Sequence, residues 1–82
     1  SYIDDELAKT MIALIRKGQE AGQILNPSPA ENLLWTSYAL VRGVNIKWCF
    51  QWGEPDLIGE TMDSLNDIFL PAEGFALTSA DR

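Results

Sequence analysis

Between residues 28 and 52 apolar side chains recur at helical spacing on two sides at once. Leu34, Tyr38, Val41, Trp48 and Trp52 form one stripe, interrupted by Asn45, and Trp35, Ala39, Gly43, Ile46 and Phe50 form a second. Leu33, Leu40 and Val44 fill the space between them. A helix at the surface of a domain needs a single apolar stripe, so a helix this widely apolar has to be covered from two directions. The segment opens on Ser28-Pro29-Ala30-Glu31, which reads as a capping box with proline at the first helical position, and closes at Gly53. About 24 residues without an internal proline predict a helix of about 36 Å.

The same periodicity predicts a helix on either side. The first runs from Asp4 or Asp5 to Ala21, with acidic residues at its start and Arg16 and Lys17 near its end, as the helix dipole favours. Its expected buried face is Leu7, Met11, Leu14, Ile15 and Gly18, with Ala8 and Ile12 alongside. Gly18 there lets another helix approach closely, and Gly22 suits the left-handed conformation that stops a helix. The connection Gln23 to Pro27 places Ile24 and Leu25 under both helices, and Asn26-Pro27 disfavours helical continuation. After Gly53, Pro55 starts a third helix that runs to about Leu70, burying Ile58, Met62, Leu65 and Phe69, flanked by Leu57 and Ile68. Residues 72–82 lack periodicity, which predicts a tail ordered only in part or lying on a neighbouring surface. The fold class is all-α, and no segment reads as a strand.

Length changes the picture. A chain of 82 residues folding alone buries only about 60 to 65 per cent of its unfolded surface, so a further source of stability is expected. Cys49 is the sole cysteine and there is no histidine, which removes an internal disulfide and the usual structural zinc sites. Association with another copy remains, and the two-sided helix supplies the surface.

A net charge of −6 with six dispersed basic residues argues against direct contact with nucleic acid. The start of the chain lacks the basic and hydrophobic regions of a signal peptide, and Arg42, Asn45, Lys47 and Gln51 interrupt the long segment before it could span a membrane. A reducing cytoplasmic setting is the expectation, and a first residue of Ser1 points to a fragment or processed product. Asp56, Glu60, Asp63 and Asp67 form an acidic row on the third helix, read as a solvated face because carboxylate metal sites in bundles draw on several helices and add histidine. No general base, nucleophile pairing, phosphate loop or metal set is present in the sequence, so no enzyme and no cofactor is expected.

The run Arg16-Lys17-Gly18-Gln19-Glu20-Ala21-Gly22-Gln23-Ile24, then Asn26-Pro27-Ser28-Pro29, then Ala39-Leu40-Val41-Arg42-Gly43-Val44 and Trp48, resembles the C-terminal regulatory domain of the tetracycline-repressor (TetR/AcrR) family of transcription regulators. The likeness covers about Asp4 to Leu70, within a regulatory domain taken as residues 1–71, followed by the tail. It implies the last three helices of an all-helical domain, the final two pairing with those of a second subunit as a four-helix bundle. On that resemblance Trp35, Ala39, Gly43, Ile46 and Phe50, with Ile58, Met62, Leu65 and Phe69, are the expected homodimer interface. It also implies a small apolar effector, cytoplasmic repressor activity, and contact with DNA only through a helix-turn-helix domain that these residues do not include. Where family members often carry an acidic residue before the glycine of the long helix, this chain has Arg42.

Met11, Tyr38, Arg42, Asn45 and Trp48 are the expected effector-binding residues, since such pockets are apolar with a few placed polar groups. Tyr38 and Trp48 read more simply as core aromatics and Arg42 as a solvated or cross-subunit ion-pair partner, and Asn45 reads also as a register-fixing residue across a dimer. Met11 also reads as a gap-filler, and Cys49 as a small buried hydrophobe rather than a redox sensor. The rival to the regulator reading is a stand-alone helical interaction module that binds a different protein or captures a full-length regulator in an inactive heterodimer.

Overall fold

The computed structural model describes residues 4–50 and 56–78. Three helices, α1 (Asp5–Glu20), α2 (Ala30–Phe50) and α3 (Leu57–Phe69), run up, down and up. The fold is all-α, and no strand occurs among the described residues. The expected starts of α3 at Pro55 and the close of α2 at Trp52 and Gly53 lie outside the described residues.

Local chemistry sets the ends of α1. The Asp4 carboxylate accepts from the Leu7 N–H at 2.8 Å, which satisfies one of the four partnerless donors of the first turn. At the other end Gly22 has φ +74°, and its N–H donates to the Gln19 carbonyl at 3.1 Å while the Gln23 N–H donates to the Gly18 carbonyl at 2.9 Å. This is the paired closure that a left-handed residue permits. α3 is capped by Asp56, whose carboxylate accepts from the Gly59 N–H at 3.3 Å. It ends on Leu70 at φ 51°, a left-handed conformation for a branched side chain, because Pro71 disfavours the helical region for the residue before it.

The start of α2 departs from the expected capping box. The Ser28 N–H donates to the Asn26 side-chain oxygen at 3.0 Å, and the Glu31 carboxylate instead accepts from Arg16 of α1 at 3.2 Å. Both partners of that ion pair are half exposed, so it contributes no more than about 1 kcal/mol.

The core is small and lies at one end of the molecule. Ala8 and Ile15 of α1 and Ala30, Leu33 and Leu34 of α2 are buried, with Met11, Ile12, Ile24, Ile68 and Phe69 packed against them. Leu57 is buried separately, at the start of α3. Several expected buried positions face outward: Leu7 is 48% exposed, Leu14 61% and Ile58 69%. The inward faces of α1 and α3 combine small and large residues, Ala8 and Gly18 with Ile15 on one and Gly59 with Leu57 on the other. Gly18 does admit a close approach, but of Ile24 rather than of a helix: a Cβ there would stand 2.7 Å from the Ile24 Cδ1 atom. Leu25, expected beneath the helices with Ile24, is 58% exposed.

A polar clasp ties the α1–α2 connection to the end of α3. The Asn26 side-chain amide donates to the Ile68 carbonyl at 2.7 Å, and its backbone N–H donates to the Phe69 carbonyl at 3.2 Å. The Gln19 amide donates to the carbonyls of Asn26 at 2.9 Å and Ser28 at 2.8 Å. Leu25 N–H to the Leu70 carbonyl at 2.8 Å and Ala72 N–H to the Gln23 carbonyl at 2.9 Å extend it. The tail then lies back on its own chain through Ala72 and Leu77, which bond to Gln23 and Asn66.

Candidate functional site

The buried residues of α2 are Ala30, Leu33 and Leu34, all in its first two turns. From Trp35 to Phe50 no residue of the helix is buried, although most are apolar. Val41 is 41% exposed, Trp35 49%, Trp48 55%, Ile46 58% and Phe50 84%. A row of large side chains this exposed is the unusual observation, since scattered ones need no explanation.

α3 packs along α2 and divides its surface into two sides. On one side a hollow of about 460 Å³ runs between Val41, Asn45 and Trp48 of α2 and Ile58, Met62 and Leu65 of α3. It continues into a hollow of about 330 Å³ bounded by Met11, Tyr38, Val41, Leu65 and Phe69. The two share Val41 and Leu65, so they form one trough, and none of the residues lining it is charged. On the other side of α3, Leu40 and Gly43 border a groove that carries Lys47, Glu60 and Asp63.

The trough therefore brings together Met11, Tyr38, Asn45 and Trp48, four of the five residues expected to bind an effector. Arg42, the fifth, stands outside it over the Tyr38 ring, with its guanidinium carbon 5.9 Å from the ring centroid and a nitrogen 3.4 Å from the phenol oxygen. Tyr38 also meets Trp35 edge to face at 5.9 Å between centroids. These contacts hold the phenol at the trough's outer edge, between an apolar interior and a cation.

The expected interface residues are not gathered in the same way. Trp35, Ala39, Gly43, Ile46 and Phe50 are exposed on α2, and a Cβ at Gly43 would meet nothing within 4 Å. Ile58, Met62, Leu65 and Phe69 line the trough instead, with Phe69 packed on the core as well. A single surface does not hold both groups. The α2 group and the α3 group open on different sides of the α2–α3 contact.

Asp56, Glu60, Asp63 and Asp67 are exposed along α3, with Glu60 paired to Lys47 at 3.5 Å. No cluster of potential metal ligands occurs among the described residues, and no described helix is long and apolar enough to cross a membrane. Cys49 is exposed, where a small buried hydrophobe was expected. Asn26 and Gln19 are the residues that the pattern of the sequence passed over. An amide with both donor and acceptor groups, beside a proline in a turn, was the available signal.

These features define an all-α chain with large apolar side chains exposed along one long helix. Compared with protein families, with curated proteins and with solved structures, the chain matches none.

Proposed function

We propose that this chain is the dimerisation and effector-sensing part of a transcription regulator of the tetracycline-repressor type. The observation that carries the reading is the bare stretch of α2 from Trp35 to Phe50, apolar on two sides and buried on neither. A dimer contact and an effector surface together account for two sides, where a single binding role accounts for one. The resemblance in the runs around Gly22, Pro27 and Gly43 supports the same assignment.

In this reading the side carrying Trp35, Ala39, Gly43, Ile46 and Phe50 meets a second copy. The uncharged trough holds a small apolar effector between α2 and α3, with Asn45 and Tyr38 as its polar contacts. Ile58, Met62 and Leu65 then belong to the effector surface. An effector wedged in the trough would change the spacing of α2 and α3, and a dimer built on α2 would pass that change to its partner. Operator contact would belong to a helix-turn-helix domain outside these residues.

Gly43→Leu tests the dimer. In the single chain the added side chain enters open space, and leucine is a better helix former than glycine by about 0.8 kcal/mol, so the variant folds at least as well alone. Light scattering over a dilution series is expected to give twice the chain mass for the parent. For Gly43→Leu the dimer dissociation constant should rise about tenfold or more, because closely approaching helices cannot admit the new side chain. A well-folded monomer for the parent at all concentrations would reject the dimer and favour a helical module that binds a different protein.

A further inference from the structure

A third hollow adjoins the trough, with which it shares Leu65, Phe69 and Leu77, and extends from there between α1 and the tail. It measures about 330 Å³ and is walled by Leu14 and Ile15 of α1, Phe69 of α3, and Phe75 and Leu77 of the tail. We propose that it is a binding site for a small, uncharged, apolar molecule of one or two rings, and that residues 72–78 are its displaceable cover. Nothing in this proposal depends on the regulator reading.

The tail is fastened at two points. Near its start the Ala72 N–H donates to the Gln23 carbonyl at 2.9 Å. Near its end the Asn66 side chain grips Leu77 from both directions, its amide donating to the Leu77 carbonyl at 3.0 Å and its oxygen accepting from the Leu77 N–H at 2.8 Å. A turn with Gly74 at φ +90° joins the two, closed by the Phe75 N–H on the Ala72 carbonyl at 3.0 Å. This arrangement sets the tail's two large apolar side chains against the hollow. Yet Phe75 remains 55% exposed and Leu77 46%. The tail thus spans the space without filling it, and side chains facing a gap lack the dispersion contacts of a packed interior. A molecule in the hollow would supply them.

The lining fixes the class of ligand. Its polar members are Gln23 and Asn66, and Asn66 is already engaged with Leu77. No charged side chain is present to pair with an ion, and burying an unpaired charge is strongly unfavourable. The volume lies near the lower bound of small-molecule sites, about 300 Å³, which suits a compact ring rather than a long chain. The grip of Asn66 is exposed to solvent, where hydrogen bonds exchange with water at little net loss, so the cover can open for entry.

Indole serves as the probe, added to the isotope-labelled full chain and followed by amide chemical shifts. The expected result is saturable shifts at the Leu77 N–H, the Asn66 side-chain amide and Gln23. Phe75→Ser, which removes one wall outside the helices, should weaken binding about tenfold, and Asn66→Ala, which frees the cover, about threefold. Helical circular dichroism checks that both variants stay folded. Shifts gathered on Tyr38 and Val41 would place the molecule in the trough and overturn the proposal. So would the absence of saturation, or folded variants that bind as the parent does.

Discussion

Leu34→Ala is expected to lower the stability of the domain by about 2–5 kcal/mol, the range for removing a fully buried leucine side chain. Leu34 is 1% exposed, the most buried side chain of the core, and it sits where α1, α2 and the end of α3 converge. A chain of this length has a total stability of about 4–12 kcal/mol, so the loss is comparable with the whole. Urea denaturation followed by circular dichroism measures it. The expected trace is a midpoint shifted far toward zero denaturant, with a fraction already unfolded in buffer. Leu14→Ala is the matched control, since Leu14 is 61% exposed. A similar loss from the two substitutions would show that the core is not centred on Leu34.

Asn26→Ala is expected to cost about 1–3 kcal/mol, the penalty for leaving buried or half-buried polar groups without partners. The half-buried Asn26 side chain satisfies the Ile68 carbonyl and the Ser28 N–H at once, and alanine can do neither. Asn26→Asp separates the two roles. It keeps the acceptor for Ser28 and turns the donor for Ile68 into an anion facing a carbonyl oxygen, so it should destabilise at least as much as alanine. Thermal unfolding of the three proteins in parallel checks the order. If aspartate matched the parent, the contact with Ile68 would carry no weight, and the end of α3 would be held by apolar packing alone.

The existence and order of the helices were legible because their punctuation is local. Asp4, Gly22, Pro27 and Pro71 each act on the residues beside them, and no distant partner is needed to read them. The rotation of α1 and α3 was legible only in part. On α1 the residues Leu7, Ala8, Met11, Ile12, Leu14 and Ile15 spread over about 160° of the helix circumference, so spacing alone fixes the inward side only to within a broad arc. Ile15 and Gly18 are buried as expected and Met11 and Ile12 pack on the core, whereas the large Leu7 and Leu14 turn outward and the smaller Ala8 takes the inward place. The clasp at Asn26 was hidden for a different reason. Its partner Ile68 stands 42 residues away, beyond any local pattern.

The candidate site was legible in its residues more than in its geometry. The sequence placed apolar side chains on two sides of α2, and the structure buries Leu34, half-buries Tyr38, Leu40 and Val44, and leaves Trp35, Val41, Ile46, Trp48 and Phe50 exposed. Which α3 residues belong to which side required the packing angle of that helix. Ile58, Met62 and Leu65 open beside Val41 and Trp48 rather than beside Gly43. The capping role assigned to Glu31 failed in the same manner, since Arg16 becomes its neighbour only once α1 and α2 are antiparallel.

The unequal burial along α2 has a consequence for how the helix opens. Its first two turns are locked into the core through Ala30, Leu33 and Leu34, while its last four turns lean on α3 and water. Amide exchange along such a helix is graded, slow near Leu34 and progressively faster toward Phe50, because local opening starts where the fewest apolar contacts resist it. A second copy seated on the far end, as proposed, would also have to suppress that fraying. Part of the binding enthalpy is then the enthalpy of completing a helix, and affinity acquires a steep dependence on temperature through the heat capacity of the surface removed from water. In the proposed dimer the long helix would couple the folding of its own end to the arrival of the second copy.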